Sequence, residues 1–288
     1  MATDVFAGLT TERISVRRKK VKPHFKSPVH TKLFSLHAKI DELSKIKVGA
    51  VSYLNTKPLL YGVKRSEALM QQMELVEEYP SKIAGMLIEG QIDVGLVPVA
   101  IIPNLPEWHI ITDYCIGAEG EVASVCLFSD VPINRIDTIL LDYQSRTSVN
   151  LCRMLLQHYW KISPQLVDAQ EDFREHIEGT TAGVVIGDRA LVQRHISPYV
   201  YDLSLAWKDF TGLPFVFAAW IANKPLPENF IRLFNEANGI GVQNTAAVIA
   251  ENPFEAYDLQ TYYTKNISYR LTDEKRKGLQ KFLSLLES

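Results

Sequence analysis

The globular part of this chain opens with Ile46-Lys47-Val48-Gly49-Ala50-Val51, followed directly by Ser52-Tyr53-Leu54-Asn55-Thr56-Lys57-Pro58. The first six residues are rich in β-branched and small apolar side chains, which predicts a buried strand. The seven that follow are mostly polar and end in proline, which is typical of a loop. A buried strand that ends in such a loop is the basic unit of an α/β fold.

A helix and a second strand are predicted further along. Ser81 is expected to cap the helix, and Gly90 to end it. The apolar face of this helix has the i, i+3, i+4 spacing and consists of Ile83, Met86 and Leu87. Residues 92–99 then form a continuous apolar run, which predicts a buried strand. Strand, helix and strand in this order predict a right-handed crossover and a mainly parallel sheet.

A second α/β series begins after Gly120. Its predicted strands are residues 122–128, 138–141, 165–167, 183–186 and 215–221. Helical faces are predicted over residues 149–159, near residues 173–177, and over most of the chain after Pro227. Two such series predict two lobes around a cleft, and α/β proteins bind small ligands in clefts at the carboxyl ends of strands.

Composition excludes several classes of protein. The 288 residues are 47% apolar and 22% charged, as in folded globular proteins. The longest apolar runs are about half of the roughly 18 residues that a membrane span needs, so we expect no membrane partner. Cys115, Cys126 and Cys152 form no CxxC pair, and we expect buried free thiols in a reducing cytosol.

The charge is unevenly distributed. Residues 1–46 hold ten Lys and Arg against four Asp and Glu, a net charge of +6, which leaves −8 for the rest of a chain whose total is −2. The basic run Arg17-Arg18-Lys19-Lys20 suits nucleic acid or an acidic surface, but a solvated tail is the favoured interpretation. We therefore expect a disordered basic tail over residues 1–45 and no nucleic-acid partner.

Three polar loops follow predicted strands and are the candidate binding elements. Residues 52–56 suit either a ligand site or a simple cap. In residues 142–148, the hydroxyls of Ser145, Thr147 and Ser148 stand at a helix N-terminus, which favours a carboxylate or phosphate site over capping alone. In the third loop, Asp188 either serves the site or caps the next helix, with Arg189 on the surface.

Common enzyme motifs are missing from the sequence. It contains no GxGxxG, GxxxxGK[ST], HExxH or GxSxG motif, and its seven histidines show no metal-ligand spacing with cysteine. The residues themselves therefore predict a two-lobed α/β protein that binds a small anion.

Ordered motifs along residues 47–220 resemble the menaquinone-biosynthesis enzymes of the futalosine pathway, specifically the chorismate dehydratases. The matching segments are 51–59 (VSYLNTKPL), 93–100 (DVGLVPVA), 124–129 (SVCLFS), Asp142 with 145–148 (SRTS), 186–191 (IGDRAL) and 211–218 (TGLPFVFA). The basic tail lies outside this resemblance.

The resemblance implies a type II periplasmic-binding-protein-like fold, with residues 46–128 plus 218–288 in lobe I and 129–217 in lobe II. It implies a cytoplasmic lyase that removes water from chorismate, giving 3-[(1-carboxyvinyl)oxy]benzoate, with no cofactor and no metal. Chorismate is then the small-molecule partner, and a homodimer is left open.

The resemblance also assigns roles to residues. Asn55 would orient the substrate, and Asp188 would either hydrogen-bond the leaving hydroxyl or be structural. The expected substrate-binding residues are Ser52, Tyr53, Thr56, Ser124, Ser145, Arg146, Thr147, Ser148 and Thr211. One alternative is the sister enzyme that makes 1,4-dihydroxy-6-naphthoate, whose opening loop has a different pattern. Another is a non-catalytic small-anion-binding protein of the same fold.

Overall fold

The computed structural model describes residues 45–170 and 173–287, which build two β-sheets flanked by helices. The strands are β1 (Ile46–Val51), β2 (Met73–Glu78), β3 (Val94–Pro98), β4 (His109–Ala118), β5 (Val125–Ser129), β6 (Thr138–Leu141), β7 (Gln165–Asp168), β8 (Thr181–Ile186), β9 (Tyr199–Asp202), β10 (Phe215–Ala222) and β11 (Ser268–Arg270). Apart from Lys45, the predicted basic tail lies outside the described residues.

The helices connect these strands. They are α1 (Lys57–Arg65), α2 (Glu67–Gln72), α3 (Pro80–Ile88), α4 (Arg146–Leu155), α5 (Asp188–Gln193), α6 (Leu203–Thr211), α7 (Glu228–Gln243), α8 (Thr245–Glu251), α9 (Leu259–Thr261) and α10 (Asp273–Leu286). Short 3-10 helices cover Leu54–Thr56, Val99–Asn104, Ile133–Arg135 and Phe173–His176, and π-helical turns cover Leu156–Trp160 and Tyr262–Asn266.

The first sheet has the strand order β11-β4-β10-β3-β1-β2. β1 is parallel to both β2 and β3, as the crossover pattern predicts, while β10 is antiparallel to β3 and β4. Val48, Ala50, Val94 and Leu96 are fully buried, because helices cover this central part of the sheet. A parallel pair at the centre with an antiparallel return strand confirms the α/β class.

The second sheet has the order β7-β6-β8-β5-β9. β6 is parallel to β7 and β8, and β5 is antiparallel to β8 and β9. The chain therefore enters this sheet between β4 and β5 and leaves it between β9 and β10.

The predicted lobe boundaries fall inside two strands. A boundary after residue 128 cuts β5, which pairs only within the second sheet, and a boundary after residue 217 cuts β10, which pairs within the first. Residues 45–288 cluster as one compact unit. The assignment of these residues to two separate lobes stays a prediction.

Two local predictions are wrong. Ser81 does not cap α3: the helix begins one residue earlier at Pro80, whose fixed φ suits the first turn, and Tyr79 is the N-cap. The strand predicted from residue 122 begins only at Val125, because residues 122–124 form a tight connection held by a side chain of the second sheet.

That side chain is Asp202, which is buried. Its carboxylate accepts hydrogen bonds from Val122 N at 3.0 Å and Ala123 N at 2.8 Å, and it caps α6 by accepting from Ser204 N and Leu205 N. Ala123 has a φ of 63°, which is unusual for a residue with a Cβ. The connection between the sheets is therefore fixed in one strained conformation.

A buried lysine fixes the far end of the first sheet. Lys275 of α10 is fully buried, and its ammonium donates to Ser268 O at 2.7 Å and to Arg270 O at 2.6 Å. These bonds hold the short edge strand β11 against α10.

No helix of the described part is both long and apolar enough to cross a membrane. Cys115, Cys126 and Cys152 are buried and free.

Candidate functional site

A pocket lies where strands of both sheets end. The pocket is narrow, with a cavity volume of about 50 Å³. The lining residues are Val51, Tyr53, Asn55, Pro80, Leu96, Pro98, Ile116, Val125, Ser148, Ile186, Gly187, Phe217 and Ala218. Val51, Pro98 and Ile186 are the last residues of β1, β3 and β8, so the pocket is at the carboxyl ends of these strands, as predicted. Its walls are mostly apolar, with Tyr53, Asn55 and Ser148 as the polar side chains.

Asn55 reaches the pocket from the 3-10 turn that follows β1. It is 9% exposed, and its Oδ1 accepts from Thr56 Oγ1 at 3.3 Å. Its backbone carbonyl accepts from the hydroxyl of Tyr269 at 2.9 Å. Because the amide oxygen and the backbone are both held, the amide N–H groups of Asn55 have a defined direction.

Tyr53 connects the opening loop to the second sheet. Its hydroxyl donates to Gln144 Oε1, which also accepts from Arg189 Nη2 at 3.0 Å. Burial raises the pKa of the Tyr53 phenol, so it stays a hydrogen-bond donor at neutral pH. The Tyr53 ring also packs on the backbone of Gly187.

Asp142 and Arg189 form a buried ion pair behind this contact. Arg189 Nη2 lies 3.0 Å and 2.8 Å from the two carboxylate oxygens of Asp142, which also accept from Gln144 N and Ile186 N. Burial raises the pKa of Asp142, while the guanidinium of Arg189 lowers it. The alternative that places Arg189 on the surface is wrong, because its side chain is only 24% exposed and its Nη2 donates to Asp142 and Gln144.

Asp188 binds the opening loop rather than capping its own helix. The cap of α5 is Gly187, which makes no side-chain bond, and Asp188 is the first helical residue. Its carboxylate accepts from Leu54 N at 3.1 Å. Burial raises the pKa of this carboxyl, and the hydrogen bond from Leu54 opposes that rise. Asp188 and Tyr53 thus hold residues 53–54 against the second sheet.

Two of the hydroxyls at the start of α4 are bonded to each other, and the third is bonded to the 3-10 helix that follows β3. Ser145 is the N-cap: its Oγ accepts from Ser148 N at 3.1 Å and lies 2.8 Å from Ser148 Oγ. Thr147 Oγ1 accepts from Ala100 N at 3.2 Å. Only Ser148 of the three lines the pocket. Capping of α4 by Ser145 is therefore observed, and an anion site here stays a proposal.

Five other predicted binding residues, Ser124 among them, do not line the pocket. Ser52 and Arg146 are exposed, and Thr56 is fully buried beneath Asn55. Thr211 ends α6, where its hydroxyl donates to Trp207 O and accepts from Leu213 N. A larger open groove along α4 has a volume of about 600 Å³, and it is lined by Ser145 and Arg146 together with Asn104, Tyr143 and Arg153.

Ser124 lies directly behind the pocket wall and is fully buried. Its hydroxyl accepts from Tyr262 at 2.8 Å, and its backbone carbonyl accepts from Gly187 N at 2.8 Å. Tyr262 and Tyr269 belong to the C-terminal segment, outside every motif singled out from the sequence. The only feature of the sequence that could have pointed to them is the presence of three tyrosines, Tyr262, Tyr263 and Tyr269, within eight residues of a segment predicted as helix.

Within residues 45–170 and 173–287, no group of three or more His, Cys, Asp or Glu side chains is placed to hold a metal ion. The polar side chains that line the pocket are the amide of Asn55, the hydroxyl of Ser148 and the phenol of Tyr53. Such groups bind oxyanions and orient uncharged oxygens.

Comparisons with known proteins agree with this geometry. A family model described as menaquinone biosynthesis matches residues 46–288. The chorismate dehydratase of Thermus thermophilus is 25% identical over 262 residues, covering 83% of this chain and 94% of that protein.

Solved structures show the fold. A structural-genomics protein of Archaeoglobus fulgidus superposes with a TM-score of 0.68 at 13% identity, covering 84% of this chain and 97% of that one. The periplasmic aliphatic sulphonate binding protein of Escherichia coli superposes with a TM-score of 0.57 at 15% identity, covering 85% of this chain and 92% of that one. The predicted periplasmic-binding-protein-like fold is confirmed. Because the family model spans nearly all of the described chain, the protein belongs to the menaquinone-biosynthesis family.

Proposed function

We propose that this protein is a chorismate dehydratase, a lyase that removes water from chorismate to give 3-[(1-carboxyvinyl)oxy]benzoate. The observation that carries the proposal is the match to a chorismate dehydratase over 94% of that protein's length, within a family model that covers residues 46–288. The pocket at the strand ends supports it, because its apolar walls and few polar groups suit a small ring with carboxylates.

Chorismate carries two carboxylates, a ring hydroxyl and an enolpyruvyl ether. The reaction breaks the C–H bond at the ether-bearing carbon and the neighbouring C–O bond, so that one proton and one hydroxide leave as water. The ring becomes aromatic, which supplies the driving force. The protein therefore has to hold the dianion, favour loss of that proton and help the hydroxide to leave.

Asn55 is the residue that we place at the reacting end of the substrate. Its held amide would donate to the enolpyruvyl carboxylate and keep it over the ring proton, which that carboxylate then accepts. Asp188 already accepts from Leu54 N, and this bond supports a role in shaping the loop that carries Asn55.

We place the ring carboxylate of chorismate at the start of α4. Ser148 lines the pocket there, and the first N–H groups of a helix favour an anion. Residues 47–288 carry a net charge of −8, so the overall field does not attract a dianion. Local donors of this kind must supply the binding energy.

The test is incubation of the purified protein with chorismate, followed by chromatography for the aromatic product. We expect turnover by the wild type and at least a 100-fold loss in kcat for Asn55→Ala. Asn104→Ala is the matched control, because Asn104 lines the outer groove and not the pocket. An Asn55→Ala variant with wild-type kcat would remove Asn55 from the mechanism.

A second candidate is a non-catalytic binding protein, favoured by the likeness to the sulphonate binding protein. Binding of chorismate without conversion would support it. The sister enzyme that makes 1,4-dihydroxy-6-naphthoate is disfavoured, because Ser52-Tyr53-Leu54-Asn55-Thr56 departs from its opening pattern.

A further inference from the structure

The groove along α4 lies next to the pocket and is much larger. Its volume is about 600 Å³, against about 50 Å³ for the pocket, so a ring with two carboxylates has far more room in the groove. Ser145 lines the groove, Ser148 lines the pocket, and their hydroxyl oxygens are 2.8 Å apart. The groove and the pocket are therefore neighbours at the N-cap of α4.

Four charged side chains line this groove, and three of them have a partner of opposite charge. The carboxylate of Asp142 lies 2.8 Å from Arg189 Nη2. Arg153 and Asp168, which both line the groove, are 3.9 Å apart. The fourth is Arg146, which is exposed and whose side chain makes no hydrogen bond or salt bridge to another described residue. The groove therefore presents one positive charge that the described part of the chain leaves unmatched.

The position of Arg146 is unfavourable for its own helix. Arg146 is the first residue of α4, where the helix dipole favours an acidic side chain and disfavours a cation. The cap of α4 is Ser145, whose Oγ accepts from Ser148 N at 3.1 Å, so capping does not need the arginine. The fold gains nothing from this charge, whereas an incoming anion is attracted by it.

We infer that Arg146 captures the substrate dianion in the groove before the dianion enters the pocket. This inference rests on the proposed function, because chorismate carries two carboxylates. Residues 47–288 have a net charge of −8, so the chain as a whole repels a dianion, and a local positive charge beside the pocket raises the rate of association. From Arg146 the ring carboxylate has to move only past the N-cap of α4 to reach Ser148.

The experiment measures the association rate constant of chorismate, kon, by stopped-flow fluorescence, and kcat and KM by product formation. We expect Arg146→Gln to lower kon about 5- to 10-fold at about 20 mM NaCl and less than about 2-fold at about 0.5 M NaCl, because salt screens the attraction. KM should rise at low salt, while kcat should change less than about 2-fold, because Arg146 lies outside the pocket. Arg146→Lys keeps the charge and should retain kon to within about 2-fold.

Arg232→Gln is the matched control. It removes the same charge from an exposed arginine of α7 that pairs with Glu236 at 3.0 Å and lines neither the groove nor the pocket, so we expect wild-type kon, kcat and KM. Urea unfolding checks the fold of the groove variant. Arg146→Gln should be at least as stable as the wild type, because it removes a cation from the N-terminus of α4.

Three results would overturn the inference alone. They are equal kon values for Arg146→Gln and Arg232→Gln at low salt, a fall in kon that high salt leaves undiminished, and a loss of kcat of about 10-fold or more with unchanged kon, which would place Arg146 at the reacting atoms. A wild type that binds chorismate without converting it would overturn the dehydratase. The comparison of kon needs no turnover, so it would still decide the role of Arg146, and the two failures are distinguishable.

Discussion

Arg189 and Asp142 pair through two contacts of 3.0 and 2.8 Å, from one guanidinium nitrogen to both carboxylate oxygens, although 47 residues separate them. Asp142 follows β6 and is 1% exposed, and Arg189 is the second residue of α5. The pair therefore joins the ends of the adjacent strands β6 and β8, next to the point where Tyr53 of the opening loop meets Gln144.

We expect Arg189→Met to destabilise the protein by about 3 kcal/mol, because it leaves the Asp142 carboxylate buried without a counter-charge. Urea unfolding at neutral pH measures this. Arg153→Met is the control: Arg153 and Asp168 are 3.9 Å apart with side chains 48% and 92% exposed, so we expect a loss of under about 0.5 kcal/mol. Adding Asp142→Asn to Arg189→Met should recover part of the stability. Equal effects of the two arginine variants would contradict the argument.

Gly187 is a second point where the opening loop meets the second sheet. Its φ is +64°, and a Cβ there would lie 3.1 Å from the Tyr53 ring. We expect Gly187→Ala to weaken chorismate binding at least 10-fold, because it combines backbone strain with displacement of Tyr53.

Gly90→Ala is the control for Gly187→Ala. Gly90 also has a positive φ, of +70°, but nothing lies within 4 Å of a Cβ placed there. It should lower the free energy of unfolding by about 1 kcal/mol and leave the Kd for chorismate unchanged. A Gly187→Ala variant with the wild-type Kd would show that Tyr53 has room to move at no cost to binding.

We expect the two sheets to close around a bound ligand, and the bond from Tyr53 to Gln144 to favour that closed arrangement. Tyr53→Phe removes that bond and keeps the bond from Leu54 to Asp188, so we expect about a 5-fold weaker Kd for chorismate. Calorimetry measures the affinity, and X-ray scattering should show less compaction on adding ligand than in the wild type.

Tyr201→Phe provides the comparison, because the Tyr201 hydroxyl accepts from Ile133 N outside the pocket. It should bind and compact as the wild type does. If Tyr53→Phe also binds and compacts normally, its contact with Gln144 does not contribute to closure.

Asp202 predicts a pH dependence of stability. Burial raises its pKa from 3.8 to about 6, in spite of the backbone N–H groups that it accepts from. Since the folded protein then holds this proton more tightly than the unfolded chain, the contribution of Asp202 to stability is greatest below pH 4 and is lost as the pH rises towards 6 and above.

The measurement is urea unfolding of the wild type and Asp202→Asn between about pH 4 and 7. The wild type should lose up to about 3 kcal/mol relative to the variant over this range. Titrations elsewhere in the chain affect the wild type and the variant equally, so they cancel in the difference between the two free energies of unfolding. A difference that stays constant with pH would mean that the pKa of Asp202 is not raised in the folded protein.

The strands that the sequence predicts correctly are those whose burial on both faces produces an uninterrupted apolar run. β1, β6 and the core of β8 were predicted with nearly their observed bounds because they lie inside their sheets. β4 was missed although it has ten residues, because Thr112, Asp113 and other polar residues interrupt its apolar pattern. β11 was missed because its three residues owe their place to the buried ammonium of Lys275.

The residues of the candidate site also fall into two groups, those that local sequence pattern marks and those that depend on distant partners. Tyr53, Asn55 and Ser148 line the pocket, and they lie in loops predicted from the ends of strands or the start of a helix. The contributions of Gln144 and Tyr262 depend on partners 91 and 138 residues away, and local pattern carries no information about such pairs. Arg146 has the right chemistry for an anion but faces the outer groove, a direction set by the helix it begins.

The order in which strands leave the ribosome follows from the sheet topology. All strands of the second sheet lie between residues 125 and 202, so that sheet has its full set of strands once Asp202 has been synthesised. The first sheet begins earlier but lacks β10 until Ala222 has been synthesised and β11 until Arg270 has been synthesised. During translation, all strands of the second sheet are therefore available to pair before β10, the antiparallel neighbour of β3, has been synthesised. All residues that line the pocket have been synthesised once Ala218 is added, whereas the bonds from Tyr262 to Ser124 and from Tyr269 to the Asn55 carbonyl can form only about fifty residues later.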